Sequence, residues 1–357
     1  MKTGYMTLPL HGGKAPHWLM ERMTKLARSI ISIMVMEFGR EEVLRRLSDP
    51  VWFQSLGCLL GFDWHSSGVT TTVTYAIKSG LKGLEGELGI FVAGGKGKHS
   101  LLVPEEVKKT GDAFGFDAER IIYASRLSAK VDSVLLQDGY SLYHHVIIYT
   151  KEGKWSVIQQ GMNEESRTAR RYHWFSEKVQ DFTLEPHTGI ISERRERSVL
   201  DITSRKSKDA RKVILDLVGT APDKVISLYQ KAISYKMPSR HYITLKDMRP
   251  ENLKKVLIKT YETIPQDFES LLAVRGLGPM SMRALVLISD VIYGARPSYE
   301  DPVIYSFAHG GKDGYPYRVR RDVYDKSIEI LEKAIKMAKL GHREELEALR
   351  RLQKYFL

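Results

Sequence analysis

Residues 271–303 read LLAVRGLGPMSMRALVLISDVIYGARPSYEDPV, and this stretch decides how the second half of the chain is organised. Leu271, Leu272 and Val274 close a short apolar helix. Gly276 and Gly278 permit a tight turn with positive φ, and Pro279 suits the first position of the next helix. A helix start leaves backbone N–H groups unsatisfied and carries a partial positive charge, so one anionic oxygen can be held there without a side chain. Arg275, Ser281 and Arg283 stand beside that start and would reinforce the grip. After Gly294 the chain passes through Pro297 into the acidic loop Glu300-Asp301-Pro302, which also fits an ordinary helix-initiating turn.

Outward from this stretch, the two halves of the chain differ in pattern. Runs rich in Val, Ile, Thr and Tyr at 69–75, 89–93, 131–136, 142–150 and 155–160 predict strands. Helical spacing covers 209–217, 223–234, 250–263, 267–274, 279–293 and 322–339, with a further helix at 341–355. The expected fold class is α+β: a mixed α/β or β-rich domain over 1–185, a basic linker or helix over 186–208, and an all-α domain over 209–357.

The pattern of 271–278, apolar-x-x-apolar-x-Gly-apolar-Gly in outline, followed by a helix of small and apolar residues, resembles the helix-hairpin-helix element of DNA repair proteins. An ordinary capped helical turn is the plainer alternative. The loop that follows is similar to the Gly/Pro-containing loop and Asp of the helix-hairpin-helix DNA glycosylase superfamily. That resemblance implies Asp301 as the carboxylate that helps to expel a base, with Glu300 as the neighbouring fallback. A carboxylate beside the sugar would stabilise the oxocarbenium-like transition state and orient water. Two departures accompany it. The Gly278-to-Asp301 spacing is a couple of residues long for the pattern, and Met280, Ser281, Met282 and Arg283 stand where bifunctional relatives carry a Schiff-base lysine. The resemblance therefore implies a monofunctional glycosylase acting on double-stranded DNA with an extruded nucleotide. It implies no cofactor for catalysis and no protein metal, and it allows a monovalent cation at the hairpin.

Across the whole chain, the order of His11-Gly12-Gly13-Lys14-Ala15-Pro16, His65-Ser66-Ser67-Gly68, Gln137-Asp138-Gly139-Tyr140, 157–162 and 308–316 resembles the prokaryotic family known as domain of unknown function 763. That family supplies little chemistry.

Composition fits a polyanionic partner. The net charge of +12 over 357 residues attracts nucleic acid and makes binding salt-sensitive. With 43% hydrophobic and 27% charged residues the chain reads as globular, and the apolar run at 30–35 is too short to span a bilayer. Cys58 stands alone, which excludes an intramolecular disulfide and multi-cysteine metal sites. With no secretory pattern at the start, a cytoplasmic, nucleoid-associated location is expected. Asn163 and Asn252 are the only asparagines, a bias that suits a thermophilic source.

Several constellations lie outside the opening stretch. The loop Gly94-Gly95-Lys96-Gly97-Lys98-His99 could cradle a phosphate with Lys96 and Lys98, or be a plain hairpin tip; it is not a Walker A loop. The tetrapeptide His-Gly-Gly-Lys occurs at 11–14 and again at 309–312, and the second copy would bring His309 and Lys312 towards the substrate of Asp301. Gln159 and Gln160 are followed by Arg170, Arg171, Tyr172, His173 and Trp174. Arginines among aromatic rings suit phosphate contacts and base stacking, or else pack inward. His144 and His145 on one strand must point to opposite faces, so they cannot share a metal. Asp132 or Asp138 with Gln159 or Gln160 suggests a rival class, a metal-dependent nuclease, although the usual lysine after the glutamine is absent. A non-catalytic DNA-binding scaffold is a third class, its protein partners unspecified.

Overall fold

A computed structural model describes residues 15–62, 66–235, 249–303 and 305–306, with isolated positions from 329 onward. Five helices come first: α1 (His17–Phe38), α2 (Arg40–Leu47), α3 (Pro50–Leu59), α4 (Gly68–Leu81) and α5 (Glu85–Leu88). Then follow β1 (Ile90–Lys96), α6 (Val103–Phe114), α7 (Glu119–Lys130), β2 (Leu136–Gln137), β3 (Ser141–Thr150), β4 (Trp155–Asn163), β5 (Thr168–Phe175), β6 (His187–Ser192) and β7 (Leu200–Asp201). The remainder is α8 (Lys208–Val218), α9 (Pro222–Ser234), α10 (Pro250–Thr263), α11 (Phe268–Ala273), α12 (Pro279–Tyr293) and β8 (Tyr305–Ser306).

The main sheet has the order β1-β3-β4-β5-β6-β8, antiparallel throughout except for β8, which runs parallel to β6. Alternation along each strand sends neighbouring side chains to opposite faces. Val146, Ile148, Ile158 and Phe175 face a core built by α1 to α4. Ile147, Tyr149, Val157, Tyr172 and Trp174 face a second core that continues through α6 and α7 into α8, α9, α10, α11 and α12. The protein is therefore mixed α/β, with helices on both faces of a mainly antiparallel sheet. One uninterrupted apolar core carries the sheet into the helices after residue 208.

Strand expectations at 89–93, 142–150 and 155–160 match β1, β3 and β4, and the expected helices at 250–263 and 279–293 coincide with α10 and α12. Four expectations are corrected. Residues 69–75 are helical, because Val69, Val73, Ile77 and Gly80 recur on one buried face at helical spacing, and this outweighs the β preference of their threonines and valines. Residues 131–135 extend α7 as a π-helical turn that buries Val131, Val134 and Leu135. The stretch 186–208 is no solvated linker: Ile190 and Ile191 in β6 each enter one of the two faces, and β7 pairs with β2. Likewise the region after 208 is not wholly helical, since Ser298 bridges Asp201 and β8 joins the main sheet. Residues 11–14, 63–65 and 307–328 lie outside the described residues, and with them His65, His309 and Lys312, as does nearly all of 337–357.

Close approach of α1 and α4 depends on Gly80, where an added Cβ would lie 2.8 Å from the carbonyl oxygen of Thr24 and 3.0 Å from the amide of Arg28. Both obstructing atoms are main chain and cannot rotate away. Gly80→Val is expected to cost about 1–3 kcal/mol by overpacking, read as a lower urea midpoint at unchanged slope. An unchanged midpoint would show that the two helices do not cross this closely.

Candidate functional site

The turn between α11 and α12 forms from capping chemistry at both ends. Asp267 accepts from the Ser270 amide at 2.7 Å, and Ser270 Oγ accepts from the Asp267 amide at 3.1 Å, which fixes the start of α11. Lys130 closes its end, donating to the carbonyls of Leu272 at 2.6 Å and Val274 at 2.8 Å. Gly276 then takes a φ of +101°, whereas Gly278 is extended with a φ of −125°. The expectation of positive φ thus holds at Gly276 alone. Gly278 is instead distinguished by open space: nothing lies within 4 Å of where its Cβ would stand.

No side chain caps α12, and Pro279 contributes no N–H. The leading amides of this 15-residue helix are left for an outside acceptor. Arg275 and Pro279 are exposed, Ser281 is buried in the first turn, and Arg283 is half-buried and donates to Gln137 Oε1. Gln137 also donates to the Pro279 carbonyl at 3.0 Å, so the Gln137-Asp138-Gly139-Tyr140 motif holds the helix start in place. Exposed Lys259 brings its Nζ to 4.0 Å from the Cβ position of Gly276, a cation that sequence reasoning missed because it comes from α10.

Asp301 lies elsewhere, in a buried clamp. Arg170 donates to both of its oxygens, at 3.1 and 2.7 Å, and the amides of Glu196 and Val303 add bonds at 2.7 and 3.1 Å. The same guanidinium donates to Asp138 at 3.0 Å and stacks 4.6 Å from the centre of the Tyr140 ring. Asp138 further accepts from Tyr172 Oη at 2.7 Å and the Tyr140 amide at 3.0 Å. Burial raises the Asp138 pKa, while Arg170 and these hydrogen bonds act to lower it. Glu300, by contrast, is exposed and pairs with Lys206 at 2.7 Å.

Arg171 points to the opposite face, fully buried between sheet and α3. It donates to Gln54 at 3.0 Å and lies 4.8 Å from the Phe53 ring centre, and burial lowers its pKa to about 9. Gln160 and His144 occupy the same lateral row and contact Thr70 and Thr74 of α4. His173 contacts the Leu47 carbonyl at 3.2 Å and is likewise buried. Neither Arg170 nor Arg171 therefore reaches solvent to meet a phosphate, and Gln159, Gln160, Tyr172, His173 and Trp174 are all at 0% exposure. Lys96 and Lys98 are exposed, but the Gly94 amide beside them already holds Glu106 of α6 at 2.7 Å.

A polar chain runs through the face opposite Arg171. Asp132 accepts from Gln159 at 2.5 Å and from the Trp174 indole at 3.0 Å, and it contacts His187 Nε2 at 2.5 Å. Gln159 Oε1 lies 2.9 Å from His145 Nδ1, and His145 Nε2 lies 2.7 Å from Ser125 Oγ. Strand alternation does separate His144 from His145, as expected. Among the described residues no group of three or more His, Cys, Asp or Glu is placed to hold a metal ion, and no helix is long and apolar enough to cross a membrane.

The arrangement is that of a mixed α/β protein whose polar chains are built into a sheet between two helical layers. The family model described as protein of unknown function (DUF763) matches residues 4–319, and the chain belongs to that family. No curated protein and no solved structure shows significant similarity to it.

Every partner of Asp301 is a donor, so an amide in its place turns an NH₂ towards the Arg170 guanidinium and a main-chain N–H, while Arg170 keeps Asp138. Asp301→Asn is expected to lower stability by about 1–3 kcal/mol, measured by chemical denaturation. A loss below about 1 kcal/mol, the level of a surface pair, would show that the clamp does not hold in solution.

Proposed function

We propose that the protein binds duplex DNA through its phosphate backbone, with the turn between α11 and α12 acting as a helix-hairpin-helix grip. The observation that carries this reading is the uncapped start of α12, set beside the open main chain of Gly278 and flanked by exposed Arg275 and Lys259. Backbone amides at such a site hold a phosphate oxygen whatever the base sequence, and the net charge of +12 draws the polyanion in. A monovalent cation at the hairpin would compete with Lys130, whose ammonium already holds the carbonyls of Leu272 and Val274.

For the reaction, hydrolysis of the glycosidic bond of an extruded nucleotide follows from the glycosylase resemblance. The resemblance implies Asp301 for the carboxylate; because both of its oxygens are taken up by Arg170 and by main-chain amides, the role is proposed for the fallback Glu300, which is exposed and pairs with Lys206. The absence of lysine among Met280, Ser281, Met282 and Arg283 keeps the chemistry monofunctional.

Gly278→Val separates fold from function, since a side chain there meets nothing in the free protein. Its melting temperature should stay that of the unaltered protein, while affinity for all duplex sequences falls alike, about tenfold for each 1.4 kcal/mol of lost contact. Full affinity at native stability would remove the turn from the interface. Incubation of lesion-bearing duplexes in EDTA, followed by alkali, tests the reaction. Strand breaks that need alkali and disappear in Glu300→Gln are expected. Breaks that need Mg²⁺ instead, or undiminished activity in Glu300→Gln, would overturn this assignment.

A further inference from the structure

The chain from Asp132 to Ser125 has a direction that its hydrogen-bonding chemistry fixes. Asp132 sits at the buried end, where its Oδ2 accepts from the Trp174 indole, and the Gln159 group facing the same oxygen at 2.5 Å is the NH₂. The other end of that amide, Oε1, only accepts, so His145 must present a protonated Nδ1 across the 2.9 Å contact. His145 Nε2 is then a bare lone pair, and the hydroxyl 2.7 Å away on Ser125 must donate to it. His187 and Trp174 occupy the remaining approaches to Asp132 and keep it from turning. Nucleophile, base and orienting group thus stand in the relation that activates a serine.

All four residues are buried, Asp132 at 1% exposure, Gln159 at 0%, His145 at 6% and Ser125 at 5%, and the Ser125–His145 contact is itself buried. The cross-strand neighbour of His145 is Gly95, which puts no side chain beside the imidazole. A Cβ there would lie 3.0 Å from the Cβ of His99, in the exposed turn Gly97–Leu102 that covers this approach. Burial lowers the His145 pKa, while the Gln159 bond and the Asp132 charge oppose the shift, so the ring is neutral at neutral pH.

The geometry points to Ser125 as a base-activated nucleophile and His145 as its general base, in a site for a neutral acyl compound such as an ester or thioester. The Ser125–His145 pair presents no cation to an anionic phosphodiester, whereas an uncharged carbonyl needs none. In the acylation step, Ser125 Oγ bonds to the carbonyl carbon while its proton passes to His145 Nε2. The bond to the leaving group then breaks, and the departing oxygen or sulfur takes that proton. Water, deprotonated by the same nitrogen, releases the carboxylic acid and restores the serine. Gln159 and Asp132 are positioning residues, acting through His145. This site is independent of the DNA-binding turn.

A neutral alkyl fluorophosphonate, added to the full-length protein, should modify Ser125 alone, as read by peptide mass spectrometry. The adduct should be absent in Ser125→Ala, and the labelling rate should fall roughly 10²–10⁴-fold in His145→Gln. In the unaltered protein the rate should stay flat through neutral pH and decline only below the ordinary imidazole range, a readout that a purely structural hydrogen bond would not produce. p-Nitrophenyl acetate should acetylate the same serine, whereas bis(p-nitrophenyl) phosphate should leave it untouched. No adduct on the unaltered protein would overturn the nucleophile, and this result needs no variant to fold. Labelling that survives both substitutions would overturn it equally, and reaction with the anionic diester alone would overturn the substrate class.

Discussion

Arg170 is the point on which the architecture turns. Its guanidinium lies at 0% exposure in the middle of β5 and meets two carboxylates, Asp138 from the turn after β2 and Asp301 from the loop after α12. Burying that charge costs several kcal/mol, and only a well-aligned pair of acids with further hydrogen bonds offsets it. The clamp therefore forms only when sheet, turn and C-terminal loop are all in place. Because the Gln137 side chain beside it also contacts Pro279 and Arg283, ordering this turn helps to set the helix start that we assign to DNA.

The sheet carries two polar rows, one on each face, directly beside hydrophobic residues that would be expected to exclude them. On one face Gln159 and His145 join Asp132 and Ser125; on the other Gln160, His144 and Arg171 meet Thr70, Thr74 and Gln54. Polar groups in such a place cost free energy unless their partners are supplied, and these chains largely supply them. Their difference is instructive. The first row ends on a carboxylate and so has a fixed polarity from Asp132 outward. The second contains a guanidinium with no carboxylate against it among the described residues, and leaves Arg171 Nε and His144 Nδ1 without partners there.

Much of the secondary structure could be read directly because the signals were local. Pro279 with Gly294 bounds α12, Pro250 opens α10, and the β-branched and aromatic run of β3 marks a strand. The threonine-rich α4 was not legible as a helix, since its identity comes from a buried face that packs on α1. Site reading failed for a related reason. Arg170, Arg171, Tyr172 and Trp174 have the composition of a nucleic-acid surface, yet alternation in a central strand covered on both faces buries every one of them. Ser125 carries no signal at all, because its partner His145 comes from a strand separated from it by the end of α7, the π-helical turn and β2. Asp301 reads from the sequence as a loop carboxylate, and its partner Arg170 is not legible there because it comes from β5.

Hydrogen–deuterium exchange of the full-length protein, free and saturated with a short duplex at low salt, tests DNA binding at this turn most directly. Slowed exchange should concentrate at the amides of Gly276, Leu277, Gly278, Met280 and Ser281, with the strands of the central sheet unchanged. Saturated binding with protection elsewhere and none at this turn would contradict the account.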